Sequence, residues 1–370
     1  MKKLKYIDSL RGFAILGVLL THVTAAFPEI PSILYNIGHN GNKGVQLFFI
    51  VSALTLMISL NRNDEIHTKS FFIKRIFRIA PAYYSALLFY FIVSVIFNIT
   101  GIQSAVAYNH SISNFIASIT FTNMLHMNFL FSFVPGGWSV SNEFLFYLCL
   151  PLIFKKIKTL KSISMLTVFA FILGIISTLS GLYLYGFKSS LYIYYYYWFL
   201  NQFPIFCLGI LLYFMLKHPQ RINTTINFYK IKYLYLTLLI LAFILFSSLT
   251  YISYLTYFNH YFFGIIFVLA IYYIAQLQPK VIVNNTTAFL GQISFSMYLI
   301  HFFYIDIFVH FFKLMGFYSK SNVLLLLILF ILTLVATTLT AAFSYRYIEV
   351  PGINYGRKII NMQKNKVSPK

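Results

Sequence analysis

Residues 322–346 read NVLLLLILFILTLVATTLTAAFSYR, a stretch of 25 residues whose only charged side chain, Arg346, stands at its end. An α-helix needs about 20 mostly apolar residues to cross the hydrocarbon core of a bilayer. This stretch is therefore predicted to span a membrane as a single helix.

Nine other apolar runs of similar length precede it. Charged residues make up 9% of the 370 residues and hydrophobic residues 59%, whereas a soluble domain carries about 25% charged residues. This composition excludes a soluble enzyme, a disordered chain and a nucleic-acid-binding domain. The predicted fold class is all-α, a polytopic membrane protein with about ten transmembrane helices. The predicted spans are approximately 10–27, 44–60, 79–99, 138–154, 164–184, 192–216, 233–252, 260–276, 288–311 and 322–346.

The basic residues predict the orientation. With the N-terminus in the cytoplasm, 24 of the 28 Lys and Arg residues fall on the cytoplasmic side of the ten spans, as the positive-inside rule requires. Both termini are then cytoplasmic, and topology explains most of the net charge of +21. The first run is interpreted as a retained span, because His22 interrupts it and no small-residue cleavage site follows.

Two further features concern the organisation of the chain. We predict one integral membrane domain over residues 1–356 and a basic cytoplasmic tail over 357–370. The external loop of about residues 100–137 contains no Lys, Arg, Asp or Glu. A loop of this length without charge is expected to fold back against the helices or to lie in the membrane interface, where it can roof a cavity.

Polar residues inside predicted spans are costly and need a partner or a function. Glu143 is the only acid in the first eight spans. His22 lies about 16 Å along the helix from Arg11, and His301 lies about 20 Å into the ninth span. Counting along the spans therefore places His22, Glu143 and His301 at a similar depth in the outer half of the membrane.

The arginines lie at the opposite boundary. Arg75 and Arg78 share one face of a predicted helix over residues 69–78, which is either an interfacial helix that binds anionic lipid or a clamp for a phosphate ligand. Arg11 either snorkels to the headgroups or faces the same ligand.

Cys149 and Cys207 lie in apolar runs and are interpreted as buried side chains rather than a disulfide or metal ligands. No metal site is predicted.

Six short motifs, distributed over nearly the whole chain, resemble those of the membrane acyltransferase-3 family, bacterial enzymes that O-acylate surface and secreted carbohydrates. Two features differ from the family: Ser52-Ala-Leu stands where Ser-Gly-Phe is common, and no soluble domain follows the last span, as expected of a stand-alone form. The motifs are Asp8-Ser-Leu-Arg-Gly with His22, Gly44-Val-Gln-Leu-Phe-Phe, Arg75-Ile-Phe-Arg78, Trp138-Ser-Val-Ser-Asn-Glu143, Ser296-Met-Tyr-Leu-Ile-His301 and Tyr347-Ile-Glu-Val-Pro351.

The resemblance implies an O-acetyltransferase of the bacterial cytoplasmic (inner) membrane that transfers an acyl group, most often acetyl, from acyl-CoA. The acceptor would be a carbohydrate hydroxyl of an O-antigen of lipopolysaccharide, a capsule or an exopolysaccharide, either free or lipid-linked. Acetyl-CoA would be the co-substrate, and membrane lipids, a second copy of the chain or a glycan-assembly protein would be partners. The family resemblance assigns catalysis to His22, Glu143 and His301. It assigns the binding of CoA phosphates to Arg11, Arg75 and Arg78.

Two mechanisms remain open. His22 is either the general base for the acceptor hydroxyl, oriented by Glu143, or a transient carrier of the acyl group. Ser139, Ser141 or Tyr298 is a candidate for stabilising the oxyanion. The rival function is a transporter or polysaccharide exporter, which ten spans and polar groups at mid-membrane also fit; the absence of repeated halves and the scarcity of acids argue against it.

Overall fold

The computed structural model describes residues 4–61, 68–100, 111–130, 133–186, 190–217, 233–242 and 257–367. Over these residues the secondary structure is helical, and they form no β-strand. The helices are α1 (Lys5–Ala25), α2 (Ser32–His39), α3 (Gly44–Asn61), α4 (Thr68–Thr100), α5 (Ile112–Ile119), α6 (Gly137–Lys156), α7 (Leu160–Tyr185), α8 (Ser190–Tyr197), α9 (Phe199–Lys217), α10 (Tyr233–Ala242), α11 (Asn259–Leu277), α12 (Asn285–Leu314), α13 (Val323–Ser344) and α14 (Val350–Val367).

The described residues contain nine helical segments that are long and apolar enough to cross a membrane, which confirms the predicted fold class, an all-α polytopic membrane protein. They correspond to nine of the ten predicted spans. The remaining prediction, residues 233–252, lies partly outside the described residues, and its first part forms the short apolar helix α10. The cytoplasmic location of the termini remains a prediction from the loop charges.

Helix α1 lies at the centre of the fold, where it packs along α12 and also contacts α3. The α1–α12 contact is close because a glycine stands at the crossing on each helix: a Cβ on Gly12 would collide with the backbone of Thr287, and one on Gly291 with the backbone of Asp8. Small residues allow spanning helices to approach in this way. Thr287 also donates a hydrogen bond from Oγ1 to Ser9 Oγ at 3.0 Å. This contact fixes the register between the polar residues of the two helices.

Helix α4 is longer than the predicted span. Residues 69–78, predicted as a helix that leads into the span, are continuous with it, so one helix runs through Pro81 to Thr100. Helix α14 packs against the first part of α4, where a Cβ on Gly356 would lie 2.7 Å from Phe77 Cβ. Because α14 extends to Val367, it crosses the predicted boundary between the membrane domain and the tail.

The uncharged external segment folds back onto the helices over the residues that the structure describes. Its short helix α5 is capped by Ser111, whose hydroxyl accepts a hydrogen bond from the Asn114 backbone N–H at 3.2 Å. Further along, Asn123 Oδ1 accepts a hydrogen bond from Ser141 Oγ of α6 at 3.0 Å, and the Phe121 ring stacks on Phe144. The segment thus forms a roof over α6, and Gly136, with a φ of 78°, turns the chain into that helix.

Candidate active site

The described residues line two adjacent cavities within the helical bundle. The inner cavity has about 860 Å³ of empty space, including its open mouth, between α1, α3, α4, α6 and α12. The outer cavity has about 1020 Å³, including its open mouth, beneath the roof. The charged side chains that line the inner cavity are Arg11, Arg75, Arg78, Glu143 and Glu349.

Arg11 is held inside the inner cavity. Its Nη2 donates a hydrogen bond to Thr55 Oγ1 at 3.3 Å, and its Nη1 lies 3.7 Å from Asp8 Oδ1. Arg75 and Arg78 reach the same cavity from α4. Three guanidinium groups thus converge on one cavity, which suits a ligand with several phosphate oxygens and argues against simple snorkelling of Arg11.

Glu143 belongs to this inner cluster. Its Oε1 accepts hydrogen bonds from Ser52 Oγ and, at 2.6 Å, from Tyr147 Oη. Ser52 lies one turn of α3 before Thr55, the partner of Arg11, which corresponds to about 4.5 Å along the helix axis. The carboxylate therefore lies close to the level of Arg11.

The expectation that Glu143 lies as deep as the histidines, beside His22, is therefore wrong. His22 lines the outer cavity and Glu143 the inner one, and the described hydrogen bonds of Glu143 go to Ser52 and Tyr147. Residue counting failed because it assumes that a span begins at the membrane surface. Helix α6 begins beneath the roof, at Gly137, so every residue on it lies deeper than its count suggests.

The two histidines, by contrast, are neighbours. The ring centroids of His22 and His301 are 5.2 Å apart, and both rings contact Phe302. His22 lines the outer cavity, whereas His301 is fully buried behind it. Of the predicted catalytic residues, the structure thus brings His22 and His301 together and places Glu143 elsewhere.

A backbone contact fixes the tautomer of His301. Its Nδ1 lies 2.7 Å from the carbonyl oxygen of Tyr298. A carbonyl can only accept, so Nδ1 donates, and Nε2 of the neutral ring carries a lone pair. This Nε2 is buried and has no hydrogen-bond partner among the described residues. His301 thus presents an unused acceptor beside His22.

Tyr298 separates the two cavities and lines both of them. Its hydroxyl accepts a hydrogen bond from Ser139 Oγ at 2.8 Å and donates one to the Gly136 carbonyl oxygen at 3.0 Å. Val45 also lines both cavities. A thin partition of these side chains is therefore the point at which ligands in the two cavities can meet.

Some residues of the inner cavity were not predicted as site residues. Glu349 is buried, lies in a π-helical segment between α13 and α14, and accepts a hydrogen bond from Ser296 Oγ at 2.5 Å. The sequence pointed to Glu349 only as the acid within the Tyr347–Pro351 motif. Ser52 carried only a weak signal, as the serine that Ser52-Ala-Leu keeps from the family's Ser-Gly-Phe, and Tyr147 carried none, since tyrosines are common in this chain. The described residues contain no cluster of three or more metal-ligating side chains.

Comparison with known proteins identifies the family. The profile of a family described as "Acyltransferase domain", acyltransferase-3, matches residues 4–342. Two similar proteins, from Staphylococcus aureus strains COL and MRSA252, are provisionally named O-acetyltransferases and are each 26% identical. The alignments cover 97% and 98% of this chain but 59% and 60% of those proteins. No solved structure matches the chain.

The matched region begins before α1 and ends within α13, so it includes every residue of the two cavities described above except Glu349. A match over so much of the chain shows the family directly, independently of the low identity of the two relatives. The chain belongs to the membrane acyltransferase-3 family.

Proposed function

We propose that this protein transfers an acyl group, most simply acetyl, from acyl-CoA to a hydroxyl of a bacterial cell-surface carbohydrate. The observation that carries the proposal is the pair of cavities that share Tyr298 and Val45. The inner cavity suits an anionic donor and the outer cavity a hydroxyl-rich acceptor. The protein would act in the cytoplasmic membrane, with the inner cavity facing the cytoplasm.

The inner cavity has the charge of a donor site, since three guanidinium groups line it. Arg11, Arg75 and Arg78 would bind phosphate oxygens of CoA. The thioester would then extend towards Tyr298 at the partition.

The outer cavity has the chemistry of a sugar site. Trp138 and Tyr197 pack at 4.3 Å between ring centroids and offer aromatic faces to the cavity. Gln46 lines it as well, with its Nε2 bonded to Gln202 Oε1 at 3.2 Å and its own Oε1 unpaired among the described residues. Aromatic faces and amide groups can pack on and hydrogen-bond to a ligand rich in hydroxyls.

His22 would be the general base, and His301 its positioning partner. His22 removes the proton of the acceptor hydroxyl, whose oxygen forms a bond to the thioester carbon while the carbon–sulfur bond breaks. The proton passes from His22 to the departing thiolate. Because His301 Nε2 is an acceptor, it can receive a hydrogen bond from the His22 ring and hold it in orientation. The other route, in which His22 carries the acyl group before the acceptor attacks, uses the same contacts.

The hydroxyl groups at the partition are placed near the oxyanion that would form during acyl transfer. Ser139 and Tyr298 lie where the thioester carbonyl would reach the boundary. Each hydroxyl has one proton, which Ser139 donates to Tyr298 and Tyr298 to the Gly136 carbonyl, so one of them would turn from its partner to stabilise the oxyanion. Glu143 would balance the guanidinium charges and hold Ser52 and Tyr147 in the donor site.

The proposal is tested with acyl-labelled acetyl-CoA and membranes that contain the protein. We expect the label on a cell-envelope glycan, and glycan mass spectrometry of a deletion strain should show the loss of one acyl mass that complementation restores. Glycan that reaches the cell surface unmodified in the complemented strain would contradict the proposal. Glycan missing from the surface of the deletion strain, with no label transferred in membranes, would instead favour a transporter.

A further inference from the structure

A third cavity adjoins the outer cavity on the exposed side of α12. It is a groove of about 1390 Å³ between the outer ends of α1 and α12, with Phe97 of α4 on one side and Tyr318 at its end. His22 and Phe302 line both this groove and the outer cavity. The base of the proposed reaction is therefore accessible from the side as well as from beneath the roof.

The groove lies in the outer half of the membrane according to the topology predicted from the loop charges. On α12 its wall begins at Phe302, past the middle of the helix, and ends at Leu314, the last helical residue. One strip of this apolar wall is exposed: Ile307 is 37%, Phe311 48% and Leu314 72% accessible. Such a surface suits a hydrocarbon chain.

Polar residues interrupt the apolar wall on one face of α12. Asp306, His310 and Lys313 are spaced four and three residues apart, so they lie along one side of the helix, and all three line the groove. Lys313 is exposed, with its Nζ 5.3 Å from the centre of the Tyr318 ring. Ionisable residues in a lipid-facing wall are costly and indicate a function. A lysine and a histidine at the outer rim suit the phosphate of a lipid head group.

We propose that the groove binds an acceptor glycan carried on a phosphate-bearing lipid, an inference that rests on the proposed acyl transfer. The hydrocarbon chain would lie along Ile307 and Phe311, with the phosphate at Lys313. From the phosphate the glycan would run along the adjacent polar side of α12, past His310 and Asp306, to Phe302 and into the outer cavity, where one hydroxyl reaches His22. Lys313 is eleven residues beyond Phe302, about 16 Å along the helix, so the acylated sugar stands away from the phosphate-linked unit.

The test uses a photoreactive hexadecyl phosphate in phosphatidylcholine nanodiscs that hold the purified protein. Mass spectrometry should locate the label on the outer ends of α1 and α12. Ala25 is exposed and lines the groove, so Ala25→Trp should fill part of it and reduce this labelling by about tenfold. The control is Val335→Trp, at a position of α13 that is 52% accessible and outside the groove, which should leave the labelling unchanged.

Competition identifies the head group. Unlabelled hexadecyl phosphate should displace the probe, whereas hexadecyltrimethylammonium, with the same chain and the opposite charge, should not. Labelling spread evenly over the lipid-facing helices, labelling insensitive to Ala25→Trp, or equal competition by both compounds would show ordinary lipid contact and overturn the inference. Glycan acetylation in cells, measured separately with the wild-type protein, would then still support the proposed acyl transfer.

Discussion

The inner and outer cavities share a partition but differ in almost every other respect. Arginines and carboxylates line the inner cavity, whereas aromatic rings, amides and one histidine line the outer one. In the inner cavity Arg11 is paired with Thr55 and Glu143 with Tyr147, whereas Arg75 Nε is a buried donor without a hydrogen-bond partner among the described residues. Within the described part of the chain, the unpaired buried groups at the outer cavity are acceptors, among them Gln46 Oε1 and, behind the cavity, His301 Nε2. A free donor on one side and free acceptors on the other indicate that the inner cavity is built to hold an anion and the outer cavity to move a proton.

The sharpest test of this division is the loss of His22. We expect His22→Ala to reduce acyl transfer by about 10²–10⁴-fold, because a neutral hydroxyl attacks slowly without a base. Binding of acetyl-CoA, measured by calorimetry on the same purified variant, should remain normal because His22 lies outside the inner cavity. Loss of donor binding together with activity would break the division between the cavities.

The α4 arginines are expected to affect donor binding, whereas His22 affects the transfer step. Replacing Arg75 and Arg78 together by Ala should raise the KM for acyl-CoA by about tenfold or more, since charge-assisted contacts to phosphate are lost, and should leave the KM for the acceptor unchanged. The matched control is Lys74→Ala, an exposed lysine of the same helix that does not line the inner cavity. If the control raised the KM equally, a general attraction between α4 and anions would explain the effect.

Glu143 distinguishes the structure from the expectation drawn from the sequence. We expect Glu143→Gln to change the KM for acyl-CoA by about threefold to tenfold, through the charge of the donor site. The pH dependence of kcat/KM for the acceptor should keep its shape, because Glu143 does not contact His22. His301→Ala should alter that shape. If the pH dependence of kcat/KM changed in Glu143→Gln and not in His301→Ala, the data would support the prediction from the sequence that Glu143 orients His22.

The smallest expected effect concerns the partition itself. Gly136→Ala should lower stability by about 1–2 kcal/mol through its left-handed backbone and also disturb Tyr298, because the added Cβ would lie 2.6 Å from the Tyr298 hydroxyl. Gly186→Ala shares the positive φ but has nothing within 4 Å of its Cβ. Thermal unfolding should fall in both variants and acyl transfer only in Gly136→Ala. If Gly136→Ala and Gly186→Ala lost the same activity, backbone strain would explain the loss and the partition would have no special role.

Hydropathy predicted the helices well because spanning a bilayer is a local requirement on about 20 residues at a time. Counting along the spans predicted a similar depth for His22 and His301, since α1 and α12 are long helices that start at the same predicted face; that their rings are neighbours is visible only in the packing of the two helices. The same rule failed for Glu143, because the roof that lowers the start of α6 is a tertiary feature. The place of the α4 arginines was left open for a similar reason: the sequence fits an interfacial segment as well as a ligand site, and only the packing of the helices shows that two of them line a cavity.

The most direct measurement of the central claim is a sided assay in sealed vesicles, with the cytoplasmic face of the protein inside. Acetyl-CoA is enclosed in the vesicles, and a lipid-linked glycan extract of the envelope is present in their membrane, with its glycan outside. Donor in the inner cavity and acceptor in the outer one predict acetylated glycan on the outside that requires the enclosed acetyl-CoA. Product formed from acetyl-CoA supplied only outside, on the side of the glycan, would contradict the arrangement of the two cavities.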